Sequence, residues 1–317
     1  MNTNHSSLII HHSSLKNMQI GMIGLGKMGF NLAQNLKDHG HEVIGHDVND
    51  DVVEEFIKMD GIQGAHSLEE LTKKLTGRRV IWLMVPAGTI TQSVIDQLVP
   101  LLNKDDIVID GGNSRYTDTL LRYQNLRNKG IDLLDCGTSG GMEGARHGAC
   151  TMIGGEDAVF AHCEQIFKDI SVDKGYLHTG APGSGHFVKM VHNGVEYGMM
   201  QSIAEGFEVL SKSNFDLDYE QVARVWDNGS VIRSWLMELT QRAFSKDANL
   251  DGILGKMFSS GEGKWTLETA LDLGVPTPVI ALSLMMRYRS MEDDTFSGKV
   301  VAALRNEFGG HAVVKSE

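Results

Sequence analysis

From residue 18 onward the chain alternates unbroken apolar runs with stretches in which apolar positions recur every three or four residues. MQIGMIGLG is an apolar run ending in glycines, FNLAQNLKDHG is amphipathic and closes on Gly40, and HEVIGHD is a second apolar run. The pattern predicts strand, turn, helix and strand over 18–47. It recurs in RRVIWLMVPAG (78–88), DDIVIDGGNS (105–114) and IDLLDCGTSGG (131–141), each apolar run ending in Gly, Pro or Ser. Unbroken apolar strands belong to a parallel sheet covered on both faces. Gly154-Gly155 and a later strand around Gly175–Thr179 complete the sheet in an extended, partly mixed form. From Ser184 the strand signal fades and helical patterns take over, as in VARVWDNGSVIRSWLMELTQRAF (222–244) and a last helix around Gly298–Glu307. Trp226, Trp235, Leu236 and Leu239 read as a buried stripe of the first of these. The fold class predicted is α/β, an N-terminal Rossmann-type domain with a mainly parallel sheet over 18–182, followed by an all-helical domain over 183–317. The hinge is placed at the turn-rich Ala181-Pro182-Gly183-Ser184. Residues 1–17 are polar and read as a disordered extension, and the first strand begins so abruptly that Met18 could be the native start.

With 317 residues, 41% hydrophobic and 22% charged, the chain can bury two cores and has the composition of a globular protein. Its 29 Lys and Arg against 41 Asp and Glu leave a net charge of −12, which argues against a general affinity for nucleic acid or anionic membrane. An anionic substrate must then be met by a local cluster of cations. The cysteines Cys136, Cys150 and Cys163 form no CxxC pair, so free thiols and a reducing, cytoplasmic compartment are expected. No apolar stretch approaches the roughly 20 residues that cross a bilayer. The first residues carry no basic segment followed by a long apolar one, so no signal peptide is expected.

Gly24-Leu25-Gly26-Lys27-Met28-Gly29 falls at the turn from the first strand to the first helix, the βαβ frame that a GxGxxG dinucleotide motif requires. Gly24 allows the tight turn, Gly26 lets the backbone approach a pyrophosphate, and Gly29 lets helix and strand pack closely. Asp47, at the end of the second strand, can accept hydrogen bonds from the adenosine ribose hydroxyls and would repel a 2′-phosphate. Residues 48–53 contain no Arg or Lys to reverse that, so NAD is expected over NADP. In an open α/β sheet ligands bind beyond the carboxyl ends of the strands. Val85-Pro86-Ala87, Gly111-Gly112-Asn113-Ser114 and Thr138-Ser139-Gly140-Gly141 should therefore border one crevice.

The stretch SGHFVKMVHNGVEYGMMQ (184–201) sets Lys189, His192, Asn193, Glu196 and Tyr197 at i, i+3, i+4, i+7 and i+8, one stripe of a helix. Val188, Val191, Val195 and Met199 fall on an adjoining face, which is expected to pack against the protein while the polar stripe lines a cleft. An amine, an imidazole, an amide, a carboxylate and a phenol together suit acid/base chemistry. The competing reading is a solvated face with a Lys–Glu pair. No His and acid residues occur at metal-ligand spacing, so metal-independent chemistry is expected.

GLGKMGFN, DGGNSRYTDT, GTSGGMEGARHG and KMVHNGVEYGMMQ, followed by GEGKWT, ALDLGVP and RNEFGGH, resemble in order the decarboxylating 6-phosphogluconate dehydrogenases, from Met18 to His311. The length is similar to that of the family's short-chain, NAD-preferring branch. SGG and GxGxxxKxxxN (Gly183–Asn193) are shared more widely with the β-hydroxyacid dehydrogenases. The resemblance implies oxidative decarboxylation of 6-phospho-D-gluconate to D-ribulose 5-phosphate and CO2 with reduction of NAD, in the pentose phosphate pathway and gluconate utilization. It implies that Asn113, Ser139, Gly140, Gly141, His192 and Asn193 hold the sugar acid, that Lys189 and Glu196 are the catalytic pair, and that Tyr197 and Arg287 contact phosphate. NAD would rest on Gly24, Leu25, Gly26, Lys27, Met28, Gly29, Asp47, Val85, Pro86 and Asn113. Arg305 and His311 resemble residues that the family inserts into a neighbouring subunit's site, which implies a homo-oligomer, dimer or tetramer.

Where the long-form family has a phosphate-binding Lys just before GTGKW, this chain has Ser260, and the Thr of that motif is Glu262. Phosphate binding there should be weaker unless the loop is displaced or Lys264 or Arg289 compensates. For Lys189 to take the proton of a 3-hydroxyl it must be neutral, which requires desolvation or nearby positive charge. Once protonated it can polarise the resulting ketone, and Glu196, two helical turns away, can supply a proton to C1. Two alternatives stand, a different β-hydroxyacid dehydrogenase with an unphosphorylated substrate and a catalytically silent NAD-binding regulatory protein. The second predicts loss of Lys189 or Glu196, and both are present.

Overall fold

The structure, a computed structural model, describes residues 17–315. Apart from Asn17, the extension read in residues 1–17 lies outside the described residues. The strands are β1 (Gln19–Ile23), β2 (Glu42–His46), β3 (Gln63–Gly64), β4 (Val80–Leu83), β5 (Ile107–Asp110), β6 (Asp132–Ser139), β7 (Ala149–Gly155) and β8 (Ser171–Gly180). Helices α1 (Lys27–Asp38), α2 (Asp50–Ile57), α3 (Leu68–Lys74), α4 (Thr89–Leu98), α5 (Tyr116–Arg127), α6 (Gly141–His147) and α7 (Asp157–Ile170) connect them. After β8 come α8 (Ser184–Ser211), α9 (Tyr219–Asp227), α10 (Trp235–Lys246), α11 (Glu262–Asp272), α12 (Pro278–Ser290) and α13 (Phe296–Gly309). Two compact units divide the chain, the first ending at Met190 and the second starting at Val191, so the division falls inside α8.

In the first unit the sheet runs in the order β3-β2-β1-β4-β5-β6-β7-β8. β1 to β6 are parallel, and β7 runs antiparallel to β6, which makes the sheet mixed at that end as expected. Along β4 and β5 alternate side chains enter different cores. Val80, Trp82, Ile107 and Ile109 pack with α1 and α7 residues such as Leu36 and Phe167, while Ile81, Leu83 and Val108 pack with α3 and α4 residues such as Leu71 and Ile95. Burial on both faces explains why these strands read as unbroken apolar runs. Chain order reverses between β1 and β4, so the loops after these two strands flank the switch point where open α/β sheets bind ligands.

The second unit is helical, as expected, but two details differ from the periodic reading. The pattern over 222–244 is two helices, because Asn228 ends α9, Gly229 adopts a left-handed φ of +86°, and the Ser234 hydroxyl caps α10. The phase of the stripe does not survive this break. Trp235 is 43% exposed, and Met237 enters the core with Phe207, Ala223 and Phe244.

The valine face of α8 is the second correction. Val188, Val191, Val195 and Met199 are exposed, whereas Lys189, Asn193 and Tyr197 are buried. Neighbouring elements also approach α8 closely at its glycines. A Cβ on Gly185 would lie 2.5 Å from the Met152 carbonyl oxygen, one on Gly194 2.7 Å from Thr266 Cγ2, and one on Gly198 3.1 Å from Val279 Cγ1. Each of these glycines marks a point where a neighbouring element comes too close to α8 for a side chain.

Candidate functional site

At the β1–α1 turn each glycine has its own reason. Gly24 takes φ +91°, and a Cβ there would stand 2.5 Å from the Met84 carbonyl oxygen. A Cβ on Gly29 would collide with the Gly24 carbonyl oxygen at 1.9 Å, so only glycine lets α1 start this close to the turn. Gly26, by contrast, has nothing within 4 Å of its Cβ position, which leaves its backbone open beside the first amides of α1. No side chain caps that helix and no acid sits in its first turn, where Lys27 and Met28 stand, so its positive end is available to an anion.

Asp47 lies beside this turn. Its Oδ2 accepts from Leu25 N–H at 2.8 Å and its Oδ1 from Asn49 N–H at 3.0 Å. Each oxygen keeps a lone pair for a further donor. Val48, the next residue, is almost fully exposed and brings no cation.

The loops after β4, β5 and β6 carry the other first-unit candidates. Val85 and Pro86 follow β4, where the Thr91 hydroxyl donates to the Pro86 carbonyl at 2.9 Å. Asn113 adopts a left-handed φ of +51°, uncommon for a residue with a side chain. Its Oδ1 accepts from Thr138 N–H at 3.3 Å, tying the β5 loop to the end of β6. Ser139 ends β6, and Gly140 (φ +115°) and Gly141 (φ +57°) turn the chain into α6.

Lys189 is only 5% exposed. Its stem lies across Gly137, where an added Cβ would come within 2.2 Å of Lys189 Cβ. The stem thus crosses β6 one residue before Thr138 and two before Ser139. Buried Asp135 fixes the start of α8, accepting from Gly183 N–H at 2.7 Å and His186 N–H at 2.8 Å. A carboxylate at a helix N-terminus satisfies orphan amides and opposes the helix dipole favourably. His186 Nδ1 also meets the Thr119 hydroxyl at 2.7 Å, which ties the same turn to α5.

Further along α8, within the second unit, His192 Nδ1 lies 2.9 Å from Asn193 Oδ1 and 3.8 Å from Glu196 Oε2. Tyr197 is buried, and its ring carries the Arg287 guanidinium at 3.6 Å from the centroid. The Tyr197 hydroxyl is 3.3 Å from both the hydroxyl and the amide nitrogen of Ser260. Ser260 in turn donates to the carboxylate of buried Glu262. Tyr197, Ser260, Glu262 and Arg287 therefore form one cluster, and Glu262 brings an anion into it. Lys264 and Arg289, the cations available to compensate, pair with Glu268 at 3.6 Å and Glu292 at 3.7 Å. Arg305 and His311 lie at the exposed end of α13, a helix that buries none of its residues.

Periodicity and motif spacing overlooked Asp110 and Asp135. The available signal was an acid within or closing an otherwise apolar strand, in IDLLDC and DDIVID, because a carboxylate in a buried run must find donors.

A glycine cradle at a parallel sheet's switch point, with a buried lysine whose stem crosses a strand of the same sheet, is the layout of a nicotinamide-dependent oxidoreductase. Residues 19–180 match the family described as the NAD binding domain of 6-phosphogluconate dehydrogenase, and residues 185–304 match the 6-phosphogluconate dehydrogenase C-terminal domain. The chain belongs to the 6-phosphogluconate dehydrogenase family. It is 59% identical over 298 residues to the Bacillus subtilis protein YqeC, which carries that enzyme name provisionally, covering 94% of this chain and 100% of the relative. It is 41% identical to the NAD(+)-dependent, decarboxylating 6-phosphogluconate dehydrogenase of Haloferax volcanii, with 95% and 100% covered. A solved structure of Plasmodium falciparum 6-phosphogluconate dehydrogenase, reported in apo form and in complexes with NADP+ and 6-phosphogluconate, aligns with a TM-score of 0.79 at 29% identity. That alignment covers 95% of this chain and 66% of the Plasmodium chain, whose remaining third has no counterpart here.

Proposed function

We propose that this protein oxidises and decarboxylates 6-phospho-D-gluconate to D-ribulose 5-phosphate and CO2, using NAD, in the cytoplasmic pentose phosphate pathway and gluconate utilization. The observation that carries the reading is Lys189, a buried lysine whose stem is seated on Gly137, the residue before the Thr138 that bonds Asn113 and two before Ser139-Gly140-Gly141. Residues 18–182 serve as the NAD-binding domain and 183–317 as the substrate-binding and oligomerisation domain.

Gly24 to Gly29, Asp47, Val85, Pro86 and Asn113 fit a dinucleotide, since Gly26 leaves open space where a pyrophosphate needs it. NAD, when bound, supplies the hydride acceptor for C3. Lys189 takes the 3-hydroxyl proton as that carbon is oxidised, then as an ammonium donates to the ketone oxygen while the C1 carboxylate leaves as CO2. Glu196 delivers a proton to the enediol carbon that was C2 of the substrate and becomes C1 of the product. His192 and Asn193, joined by their hydrogen bond, orient the sugar hydroxyls together with Asn113 and Ser139. Arg287 and Tyr197 receive the phosphate. Asp47 with Val48 supports NAD, because a 2′-phosphate there would meet a carboxylate and no cation.

A homo-oligomer, dimer or tetramer, accounts for the apolar surface of the second unit. Along α13, Phe296, Val301, Leu304 and Phe308 are all more than half exposed, and on α8 the Val195–Met199 face borders a groove of about 570 Å³. A second copy covering these faces would let Arg305 and His311 reach its site.

The Glu262 carboxylate favours a second reading, an unphosphorylated β-hydroxyacid substrate. One assay tests both. NADH formation is followed with 6-phosphogluconate, gluconate and 3-hydroxyisobutyrate, each with NAD and NADP. The first pair, 6-phosphogluconate with NAD, should give the highest kcat/KM, with NAD favoured over NADP by at least about tenfold, or roughly 1.4 kcal/mol. A higher value for an unphosphorylated acid, or for NADP, overturns the corresponding part.

A further inference from the structure

Beneath the loops that follow β4 and β5, between α4 and α5, lies a guanidinium that the reaction above does not use. Arg122 is 2% exposed. Its Nη1 donates to Asp110 Oδ2 at 3.0 Å and Ser114 Oγ at 2.8 Å, its Nη2 to the Gly88 carbonyl at 2.9 Å, and its Nε to Gln92 Oε1 at 3.3 Å. Asp110, fully buried, closes the ring. Its Oδ1 accepts from Gly112 N–H at 3.1 Å and its Oδ2 from the Ser114 hydroxyl at 2.9 Å.

A buried ion pair by itself is a poor stability device, since apolar residues of similar volume often do as well. What apolar residues cannot supply here is the link from one loop to the other. A guanidinium holds its N–H donors in one rigid plane, so donating at once to Gly88 and to Asp110 and Ser114 fixes the β4 loop relative to the β5 loop. The β5 loop needs such support. Asn113 stands at φ +51°, a conformation that persists when the surroundings over-determine it. Through Asn113 Oδ1 and Thr138 N–H the constraint continues to β6, next to Gly137 and Lys189.

We infer that Arg122, clamped on Asp110, is a positioning residue for hydride transfer, holding the loop at 85–88 in register with the loop at 111–114 so that the reacting carbon and its hydride acceptor meet at reactive distance. The inference rests on the assignment of these loops to NAD and substrate.

The test compares the wild-type protein with Arg122→Lys, which keeps the charge but loses the fork, and with Ser114→Ala, a milder cut in the same ring. Melting curves establish folding. Steady-state kinetics are run with 6-phosphogluconate and with its 3-deuterated form, NAD affinity is measured by titration, and amide exchange is followed in peptides spanning 84–90 and 110–116. In Arg122→Lys, kcat should fall about 100-fold, the scale expected for misplacement of about 1 Å. The deuterium effect should rise, NAD affinity should persist, and exchange should accelerate in both loops together. Ser114→Ala should shift each quantity in the same direction by less, and it decides the matter if Arg122→Lys does not fold. A folded variant with wild-type kcat and isotope effect, a loss confined to the melting temperature, or exchange that rises in one loop only would overturn the inference. A wild-type protein that makes no NADH from 6-phosphogluconate, while both loops still loosen together in Arg122→Lys, would refute the substrate and leave the loop register supported.

Discussion

Replacing Gly137 with Ala adds one methyl group directly under the stem of Lys189. Gly137 does not use a left-handed φ, so alanine fits its backbone and the perturbation is purely steric. The new Cβ would lie 2.2 Å from Lys189 Cβ and 2.7 Å from its Cγ, where ordinary contacts are 3.4–4 Å. The Gly185 carbonyl oxygen stands 3.3 Å from the same point, so the methyl cannot turn aside. Lys189 must therefore retreat by more than about 1 Å, and a displacement of that size in a proton-transferring group costs on the order of 100-fold in kcat, about 2.7 kcal/mol of transition-state stabilisation. Overpacking adds a stability loss of about 1–3 kcal/mol. The assay is kcat for NADH formation from 6-phosphogluconate, with NAD titration and a denaturant melt as controls for cofactor binding and folding. A folded Gly137→Ala protein within twofold of wild-type kcat would show that the seat of Lys189 on β6 does not govern the reaction.

Gly26→Ala is the opposite case, since its Cβ meets nothing in the free protein and φ is −62°. Stability should stay unchanged while NAD binding weakens by about tenfold or more, and unaltered affinity would remove Gly26 from the pyrophosphate site. Buried His41 accepts from Met18 N–H and donates to Asp169, as a neutral ring does, and burial, only partly offset by Asp169, holds its pKa below the ordinary 6.5. The unfolded chain then binds a proton that the folded one resists, so stability is full above about pH 6.5 and declines as pH falls through that value. Urea midpoints measured from about pH 7.5 to 5 should fall more steeply for wild type than for His41→Gln, and equal slopes would exonerate His41. Deleting 304–317 should lower the mass in solution and raise KM for 6-phosphogluconate at least about tenfold if Arg305 bridges a phosphate, with unchanged KM denying the tail that role.

The first unit was legible because its signals are local. Continuous apolar strands, a glycine turn in a βαβ frame and strand-ending loops each follow from a few adjacent residues, and the sheet order merely brings them together. The reading failed where a face is decided by distant partners. Helical spacing grouped Lys189 with Asn193 and Tyr197 correctly, but it assigned the valines to the interior, because nothing in a 3.6-residue period says which face of a helix the neighbouring elements cover. The helix over 222–244 failed for a local reason that was visible, Asn228-Gly229 in its middle. Arg122 was beyond reach of the sequence, since its four partners come from segments up to 34 positions away.

Because Lys189 and Glu196 ride on one uninterrupted helix of 28 residues, their spacing is set by the helical repeat, seven residues or about 10 Å along the axis. The distance is therefore heritable in an unusual sense. Point substitutions around it can change what is bound, but a single inserted or deleted residue between the two would rotate one relative to the other by about 100° and end their alignment at once. A change of length is accordingly tolerable in loops and termini, whereas the segment from 189 to 196 has to keep its count.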